Sequence, residues 1–566
     1  MENKEFITFT TEIRHKPIFH FSFFIFHYRR LSLLSIIVGL SFLSPCYALG
    51  GYMFRIHLKD KGNSSFSINN PSAFLSEKSI ERRQKQGILV DYTDLPIDPL
   101  YISQLEEAGA IVKAKSKWVE TVTVYLPDSS AIPTLEELNF VDTLYCVWKG
   151  LLPDNNSFRI KKEPEQDITK IFSKSGTDIN TYGQGYAQIN MLHGDLLHDN
   201  GFTGKGMSIA VIDIGYQNSD QISAFDPERI KEIKDFTHKE SDLFRIAQGH
   251  GTAVLSCMLS NEPGVMVGTA PDADYYLFKS EVENEEFPVE EDYWVAAMEY
   301  ADSIGVDVVN TSLGYTTFDE ADMNHTHEQL DGKTIPASRA GALAGKKGML
   351  IFIAAGNEGN KNWKKIAVPG DAENIITVAA VNSSQTIAAF SSRGPSADNR
   401  VKPDLSSMGE GAAIINGAKN LTKGNGTSYA SPILAGISAC LWQSLPDKTS
   451  EEIRTLLLSS GDRFSEPDSI YGYGIPDVYK VYSETTGIVN IKTDNQSVFF
   501  DSRENKLYIK TNTNQNISAR IYNSLGQIEG EYRQVTSPID LNALLKGMYI
   551  IRIFQNNKLT IQKFIK

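Results

Sequence analysis

Four reactive side chains each stand in a segment of small or apolar neighbours. The segments are residues 426–432 around Ser428, 249–254 around His250, 209–215 around Asp213 and 351–359 around Asn357. These side-chain types can perform acyl transfer, because they offer a hydroxyl nucleophile, an imidazole base, a carboxylate to orient the base and an amide donor for an oxyanion. The chemistry that they indicate is hydrolysis through a covalent intermediate.

Ser428 follows a glycine turn and precedes an apolar stretch with helical spacing. Ala430, Ile433, Leu434, Ile437 and Leu441 fall on one helical face, and a proline in the first turn is compatible with a helix. The hydroxyl is therefore expected above a helix N-terminus, where backbone N–H groups can stabilise a developing oxyanion. A simple N-cap is the alternative for an isolated Gly-x-Ser.

The other three residues are expected at the ends of buried elements. Asp213 follows four apolar residues typical of a buried parallel strand, His250 begins a helix, and Asn357 lies in a tight turn after a strand. Taken singly, Asp213 fits a strand-end cap, His250 a core histidine and Asn357 a turn former. Their occurrence together favours a hydrolytic site.

The three reactive residues occur in the chain order Asp, His, Ser. In this order, residues 185–482 resemble the subtilisin-like serine peptidase family. The resemblance implies that Asp213 orients His250, that His250 is general base and then acid, and that Ser428 is acylated. It also implies an oxyanion hole formed by Asn357 and the Ser428 backbone N–H. Further segments carry the likeness, namely 311–314, 390–395, 402–404 and 473–477.

The resemblance assigns substrate binding to two short segments, and the sequence departs from the usual residues of the family at two positions. The substrate-binding residues that it implies are Ser312, Leu313, Gly314, Ala355 and Gly356. Ile214 stands where the family usually has Ser or Thr, so one polar neighbour of Asp213 is missing. Tyr429 replaces the commoner Met beside the nucleophile, which changes packing more than chemistry.

The net charge argues against nucleic acid as a partner, and the sequence lacks the residue spacings typical of zinc and calcium sites. The 566 residues carry a net charge of −14, which argues against nucleic acid, since phosphate binding needs a basic footprint. The run His325-Thr326-His327-Glu328 lacks the H-E-x-x-H spacing of a helical zinc site. No cofactor is expected to be required. Members of the family often bind structural calcium, yet no D-x-D-x-D loop identifies a calcium site.

The four cysteines predict thiols more than disulfides. Cys46 lies in the targeting segment, Cys146 precedes the peptidase-like region, and Cys257 and Cys440 lie in apolar helical stretches within it. Buried free thiols are favoured over a disulfide, and no zinc-type spacing occurs.

The first 48 residues are predicted to be a signal peptide. Arg29 and Arg30 precede an apolar stretch over 31–43, and small residues before Ala48 suit cleavage there. Acylation of Cys46 is a weaker alternative because Pro45 fits a lipoprotein signal poorly, and the apolar stretch is short for a membrane span. The preceding aromatic tract, residues 17–27, leaves the true start codon open.

Residues 49–152 show an α+β pattern that resembles the propeptides of exported subtilisin-like enzymes. Strands are predicted over 52–58 and 118–126, and helices over 77–86 and 132–138. The resemblance implies a domain that assists folding and blocks the cleft, and a permanent accessory domain is the alternative. Residues 153–182 are polar and predict a linker with a processing region.

Residues 183–484 predict an α/β fold with a doubly wound parallel sheet. Short apolar stretches over 207–212, 273–278, 306–309, 350–354 and 375–380 alternate with helical segments. An acidic stretch between Lys279 and Asp292 would either favour basic residues in a substrate or form a solvated loop. The sequence favours the solvated loop.

The last segment, residues 487–566, predicts a small β-sandwich. Period-two stretches over 506–510, 517–522, 548–553 and 559–565 are separated by turns at 523–526 and 546–547. From Ile488 onward the segment resembles the C-terminal sorting domain of proteins exported by type IX secretion. An Ig-like carbohydrate- or protein-binding module is the alternative.

Two functions from different classes follow from these motifs. The first is a secreted serine endopeptidase that takes proteins or peptides as substrates and the type IX machinery as a partner. It would reach the medium or the cell surface by signal peptide and then outer-membrane export. The second is a surface binding protein on a catalytically silent scaffold of the same fold. The presence of all four reactive residues favours the peptidase.

Overall fold

A computed structural model describes residues 50–151, 179–237, 242–486, 496–501, 505–511, 517–533, 535, 538–555 and 558–566. The predicted signal peptide lies outside these residues, as does most of the predicted linker. Among the helices of the described residues, none has the length and apolar character needed to cross a membrane.

The first described domain is a four-stranded antiparallel sheet with helices on it. Its strand order is β2-β3-β1-β4, and its elements are β1 (Gly50–Leu58), α1 (Glu77–Gln86), α2 (Pro99–Glu107), β2 (Ile111–Ser116), β3 (Thr121–Leu126), α3 (Ile132–Glu136) and β4 (Val141–Leu151). Its own core contains Ile56, Leu105, Val122, Val124, Leu126 and Leu135. The predicted α+β domain is confirmed.

Several details of this domain differ from the sequence prediction, since α2, β2 and β4 were not predicted. Strand β2 has a weak apolar signal, because after Ile111 and Val112 its residues are two lysines that alternate with an alanine and a serine. The predicted strand 118–126 begins only at Thr121, since Trp118 and Val119 lie in the preceding turn. Both turn residues are buried against the next domain rather than within their own sheet.

The second domain alternates strands and helices. Its strands are β5 (Ser208–Asp213), β6 (Ile230–Asp235), β7 (Asn261–Glu262), β8 (Met266–Val267), β9 (Asp274–Lys279), β10 (Val308–Thr311), β11 (Leu350–Ala354), β12 (Ile376–Val381), β13 (Leu405–Met408), β14 (Glu410–Ile415) and β15 (Leu421–Asn425). Its helices are α4 (Ile179–Tyr182), α5 (Tyr186–Asn190), α6 (Gly194–Asp199), α7 (His250–Leu259), α8 (Val289–Ile304), α9 (Pro336–Lys346), α10 (Thr427–Ser444), α11 (Ser450–Ser459) and α12 (Val478–Thr486).

A seven-stranded parallel sheet forms the centre of this domain, in the order β13-β12-β11-β10-β5-β9-β6. Alternate residues of a strand face opposite sides, so Ile209 and Val211 of β5 join the core with α7 and α10. Ala210 and Ile212 join the core with α8 and α9 on the other face. This is the predicted doubly wound α/β fold.

The C-terminal region folds as two antiparallel sheets around one core. The sheets are β16-β17-β20 and β19-β18-β21-β22, built from β16 (Gln496–Asp501), β17 (Lys506–Thr511), β18 (Ser518–Asn523), β19 (Ile528–Arg533), β20 (Ile539–Asp540), β21 (Met548–Gln555) and β22 (Lys558–Ile565). Leu507 and Ile509 of the first sheet share a buried cluster with Ile521 and Ile551 of the second. Residues of the two sheets therefore pack together, as expected for a sandwich.

Candidate active site

The candidate residues gather at one edge of the central sheet. Strands β11, β10 and β5 are parallel neighbours, so their carboxyl ends lie side by side. Asp213 is the last residue of β5, Ser312 follows β10, and Asn357 follows β11 by three residues. Ligands and reacting groups in open α/β sheets typically lie at this edge.

Asp213 and His250 are joined by a hydrogen bond. The Nδ1 atom of His250 lies 2.8 Å from Oδ1 of Asp213, which is completely buried, whereas the imidazole is partly exposed. A carboxylate only accepts, so Nδ1 carries the proton of this bond. The Nε2 atom is then the ring nitrogen that can take a proton from a hydroxyl.

The second carboxylate oxygen of Asp213 has no hydrogen-bond partner among the described residues. Oδ1 also accepts from the Ile214 backbone N–H at 2.9 Å, but the Ile214 side chain offers no donor to Oδ2. The hydroxyl of Tyr216 donates to Val211 O and Phe278 O instead. Burial, with the charge of Asp213 added, raises the pKa of Tyr216 well above its usual value, so Tyr216 stays neutral there.

Ser428 is the second residue of α10 and is nearly buried, with 7% of its surface exposed. Its hydroxyl donates to the Ser312 carbonyl at 3.2 Å. The Ser312 hydroxyl in turn donates to the Ser428 carbonyl at 2.8 Å. These reciprocal bonds fix the first turn of α10 against the end of β10. Tyr429 packs near the base, with its ring 6.2 Å from the His250 ring.

The amide of Asn357 is oriented by Thr427, a residue that the sequence motifs did not indicate. Its Oδ1 accepts from the Thr427 N–H at 2.9 Å and from the Thr427 hydroxyl at 3.0 Å. The same hydroxyl accepts from the Gly356 N–H at 3.1 Å. With the amide oxygen engaged, Asn357 can offer its Nδ2 donors to a substrate oxygen. The only sequence signal for Thr427 is its position directly before Ser428.

The two segments predicted to bind substrate converge on Ala367. A Cβ atom at Gly314 would lie 2.6 Å from the Ala367 Cβ, and one at Gly356 would lie 3.2 Å from it. Gly356 also has a φ of +102°, which favours glycine. Ser312 and Ala355 are buried, while Leu313 is half-buried and Gly314 is exposed. Leu313, Gly314 and Gly356 are therefore the residues of these two segments with surface open to a substrate.

The prediction of a solvated loop for the acidic stretch between Lys279 and Asp292 is wrong for four carboxyl groups, three of which lie in the first turn of α8. Glu281, Glu290, Glu291 and Asp292 are all buried. Arg55 of the first domain covers the last two, donating to Asp292 Oδ1 at 2.5 Å and to Glu291 Oε2 at 3.2 Å. The sequence could not show this, because the covering residue lies more than two hundred positions away.

Three carboxyl groups of this stretch share one small space. Glu281, Glu286 and Glu290 bring carboxylate oxygens within 4.8 Å of one another. Burial, with the charge of Asp213 added, raises the pKa of Glu281 to about 7. Burial and the charge of Glu281 raise the pKa of Glu286 to about 8 and that of Glu290 well above its usual value. Such groups share protons near neutral pH.

The contacts of these side chains are those of structural groups. Glu281 accepts from the Tyr315 hydroxyl at 2.6 Å, and Glu290 accepts from the Val282 and Phe287 N–H groups. His325 contacts Glu291, while His327 contacts the Trp363 carbonyl, so the two histidines do not converge. The sequence prediction of no metal among these residues stays a prediction.

The described cysteines are free thiols, as predicted. Cys257 and Cys440 are completely buried, and burial raises the pKa of both thiols far above the usual value. Protonated thiols in apolar surroundings are unreactive. Neither cysteine takes part in the candidate site.

Three family profiles match successive parts of the chain. The Subtilase family matches residues 204–474, the Bacteroidota propeptide domain of S8 peptidases matches residues 53–163, and the secretion system C-terminal sorting domain matches residues 503–566. The three regions correspond to the three folded parts described above. The sorting domain indicates export to the cell surface or the medium.

Individual proteins agree with these profiles. Serine protease AprX of Bacillus subtilis (strain 168) is 30% identical over 307 residues, covering 48% of this chain and 65% of AprX. Subtilisin E of the same organism is 29% identical over 324 residues, covering 56% of this chain and 76% of subtilisin E. This chain thus spans slightly less than two thirds of AprX.

A solved structure shows the same fold. The epidermin leader peptide processing serine protease of Staphylococcus aureus aligns with a TM-score of 0.54 at 15% identity. The alignment covers 78% of this chain and 100% of that protein. At this identity the likeness concerns the fold alone.

Proposed function

We propose that this chain, which carries a subtilase-family domain between a propeptide domain and a sorting domain, is a secreted endopeptidase acting through Asp213, His250 and Ser428. The observation that carries the proposal is the Asp213–His250 hydrogen bond of 2.8 Å at the sheet edge where α10 begins. A carboxylate, an imidazole and a serine at a helix N-terminus are the parts of an acyl-transfer site.

The first half of the reaction forms an acyl-enzyme. The Ser428 hydroxyl turns from the Ser312 carbonyl toward Nε2 of His250, which takes its proton as Oγ attacks the substrate carbonyl carbon. The Asp213 carboxylate stabilises the imidazolium through Nδ1. Nε2 then gives the proton to the leaving amine, the C–N bond breaks, and the acyl group stays on Oγ.

The second half releases the acyl group to water. His250 takes a proton from the attacking water and returns it to Ser428 Oγ as the ester bond breaks. In both halves the oxyanion is stabilised by Asn357 Nδ2 and the Ser428 N–H. The hydrogen bonds from Thr427 to Asn357 Oδ1 support this role, because they point the amide oxygen away from the substrate.

The substrate is a protein or peptide held in extended form. We assign its binding to Ser312, Leu313 and Gly314 on one side and to Ala355 and Gly356 on the other. An extended peptide can add to such edges through main-chain hydrogen bonds. No step of the reaction requires a cofactor. The type IX export machinery is the proposed partner of the C-terminal domain.

Replacement of the nucleophile tests this proposal. Ser428→Ala should abolish peptide hydrolysis in a folded protein. The matched control is Ser438→Ala, since Ser438 lies in the same helix with a buried hydroxyl that has no hydrogen-bond partner among the described residues. Full activity of Ser428→Ala, with contaminating peptidases excluded, would overturn the assignment. Absence of hydrolysis by the folded, processed wild-type protein would instead support the catalytically silent binding protein.

A further inference from the structure

A completely buried asparagine lies in the central sheet beside the helix that carries the nucleophile. Asn310 is the third residue of β10 and has no exposed surface. It shares a sheet face with Val308, which packs in the core with α7 and α10. A buried amide destabilises a protein unless its polar atoms are hydrogen-bonded. Both polar atoms of the Asn310 side chain are bonded, and both bonds lead to α10, one directly and one through Ser312.

The Asn310 amide connects the end of β10 with the start of α10. Its Oδ1 accepts from the hydroxyl of Ser431 at 2.7 Å, and Ser431 is also completely buried. Its Nδ2 donates to the Ser312 hydroxyl at 3.1 Å. That hydroxyl donates in turn to the Ser428 carbonyl at 2.8 Å. Ser428 and Ser431 are three positions apart on one helix, so they face the same side of α10.

The Ser428 carbonyl uses this hydroxyl in place of a helical donor. In a regular α-helix the carbonyl of residue 428 would accept from the N–H of residue 432. Residue 432 is a proline inside α10, and proline has no N–H. Its ring also crowds the carbonyl four residues earlier. The nucleophile therefore lacks the usual partner for its carbonyl, and Ser312 supplies one from the neighbouring strand.

The direction of each hydrogen bond follows from the groups involved. A carbonyl oxygen only accepts, so the single proton of the Ser312 hydroxyl points to Ser428. In the contact between Ser312 and Asn310, the donor must then be Asn310 Nδ2. Asn310 Oδ1 consequently faces Ser431, whose hydroxyl donates to it. Asn310 thereby fixes the Ser312 hydroxyl in the orientation that holds the nucleophile.

The position of the Ser428 main chain sets the geometry of the reaction. Its N–H is an oxyanion donor in the proposed mechanism, and its Cα–Cβ bond directs Oγ toward His250. Ser312 holds the main chain through its hydroxyl, and its carbonyl accepts from the Ser428 hydroxyl at 3.2 Å. A misplacement of about 1 Å at a reacting atom can cost about a hundredfold in rate.

We propose that Asn310 is a positioning residue for the nucleophile, which acts through the Ser312 hydroxyl and not on the substrate. This role rests on the proposed function, since it requires that Ser428 is the acylated residue. Asn310 contacts no reacting atom. Its removal should therefore slow the acylation of Ser428 even by a substrate that has no peptide main chain.

Acylation of the processed enzyme by p-nitrophenyl acetate tests this role. The burst of p-nitrophenol gives the rate constant for acylation, which does not depend on the fraction of active enzyme. The variants are Asn310→Ala, Ser312→Ala and the double variant, and urea unfolding is measured for each. The matched control is Thr311→Val, because Thr311 is an equally buried residue of the same strand. Its hydroxyl accepts from Trp294 Nε1 at 3.1 Å on the opposite face of the sheet.

We expect each single variant to slow acylation about tenfold, and the double variant to slow it about tenfold rather than about a hundredfold. Two substitutions that remove one shared interaction do not add their effects. Thr311→Val should lose stability but acylate within about twofold of the parent. If Asn310→Ala does not fold, Asn310→Leu, which fills a similar volume without polar atoms, replaces it.

The Pro432→Ala background provides a rescue of the Ser312 variant. Alanine restores an N–H at residue 432 that can donate to the Ser428 carbonyl. In that background Ser312→Ala should slow acylation by less than about threefold, because the carbonyl has its helical donor again. A full tenfold loss there would overturn the role assigned to the Ser312 hydroxyl, and with it the role of Asn310.

The other outcomes separate this role from the proposed function. Normal acylation by folded Asn310→Ala would overturn the positioning role, as would effects of Asn310→Ala and Ser312→Ala that multiply. Equal slowing by Thr311→Val would show a general effect of strand stability and would also overturn it. If the parent gave no burst, or Ser428→Ala gave the same burst as the parent, the proposed function itself would fail, and the positioning role with it.

Discussion

At the scale of single residues, the site depends on side chains that are held by their neighbours. Asp213 uses one carboxylate oxygen for both His250 and the Ile214 N–H. Asn357 depends on Thr427 in the same way, because two donors fix its amide oxygen. A side chain whose orientation is already fixed by hydrogen bonds can stabilise the transition state without reorganising. Stabilisation of an oxyanion requires such a preorganised donor.

Asn357 variants separate an oxyanion donor from a turn former. Asn357→Ala should lower kcat by about 10²–10³ with a much smaller change in KM, because the lost bond strengthens in the transition state. Asn357→Asp keeps an acceptor for Thr427 but removes the amide donor, so kcat should fall there as well. Asn382→Ala is the control, since Asn382 organises a separate turn after β12. Normal turnover of Asn357→Asp would mean that Asn357 is only a turn residue.

At the scale of helices and strands, the sequence predicted what local patterns encode. β11 has the predicted bounds, and β5, β9 and β12 are shifted by one residue, because buried parallel strands are short apolar stretches. His250 begins α7 as predicted, and Ser428 lies in the first turn of α10. The positions of the hydroxyl, the imidazole and the carboxylate at the ends of these elements could therefore be predicted from spacing and the family resemblance.

Contacts between distant segments were not predictable in this way. The acidic stretch between Lys279 and Asp292 has the composition of a solvated loop, yet Arg55 and Tyr315 contact its buried carboxyl groups. Burial of Glu291 and Asp292 depends on the docking of one domain on another.

The carboxyl cluster predicts how stability changes with pH. Because the pKa of Glu286 is raised to about 8, the folded protein binds its proton more tightly than the unfolded chain. The free energy of unfolding should therefore fall as pH rises from about 5 to about 9, and Glu286→Gln should reduce that fall. Urea unfolding of the Ser428→Ala protein across this range provides the measurement.

The control for this experiment is Glu452→Gln. Lys448 holds the pKa of the Glu452 carboxyl below its usual value. This substitution should therefore change the free energy of unfolding only at acid pH and leave its fall toward alkaline pH unchanged. If the free energy of unfolding fell equally with pH in the parent and in Glu286→Gln, the carboxyl cluster would not control this pH dependence.

At the scale of the whole molecule, three folded parts have different tasks. The propeptide domain and the peptidase domain share a buried interface with an apolar cluster that includes Met53, Trp148 and Phe287. The C-terminal sandwich has a core of its own. Its match to a secretion sorting domain indicates a role in export rather than in catalysis.

Deletion of residues 487–566 should therefore separate activity from export. In a host with type IX secretion, the shortened enzyme should keep its peptidase activity but accumulate in the periplasm. The full-length Ser428→Ala protein is the control, and it should reach the medium or the surface at the normal level. Normal export of the shortened enzyme would contradict the sorting role and favour a binding module.

The central claim is that Ser428 is an activated nucleophile, and a fluorophosphonate probe tests it most directly. Such a probe phosphonylates a serine hydroxyl only when a neighbouring base and an oxyanion site activate it. In the processed enzyme, mass spectrometry should locate the adduct on Ser428. Labelling should be lost in Ser428→Ala and strongly reduced in His250→Ala, and it should be unchanged in Ser438→Ala. Absence of labelling in a folded, processed wild-type protein, or an adduct on another serine, would contradict the claim.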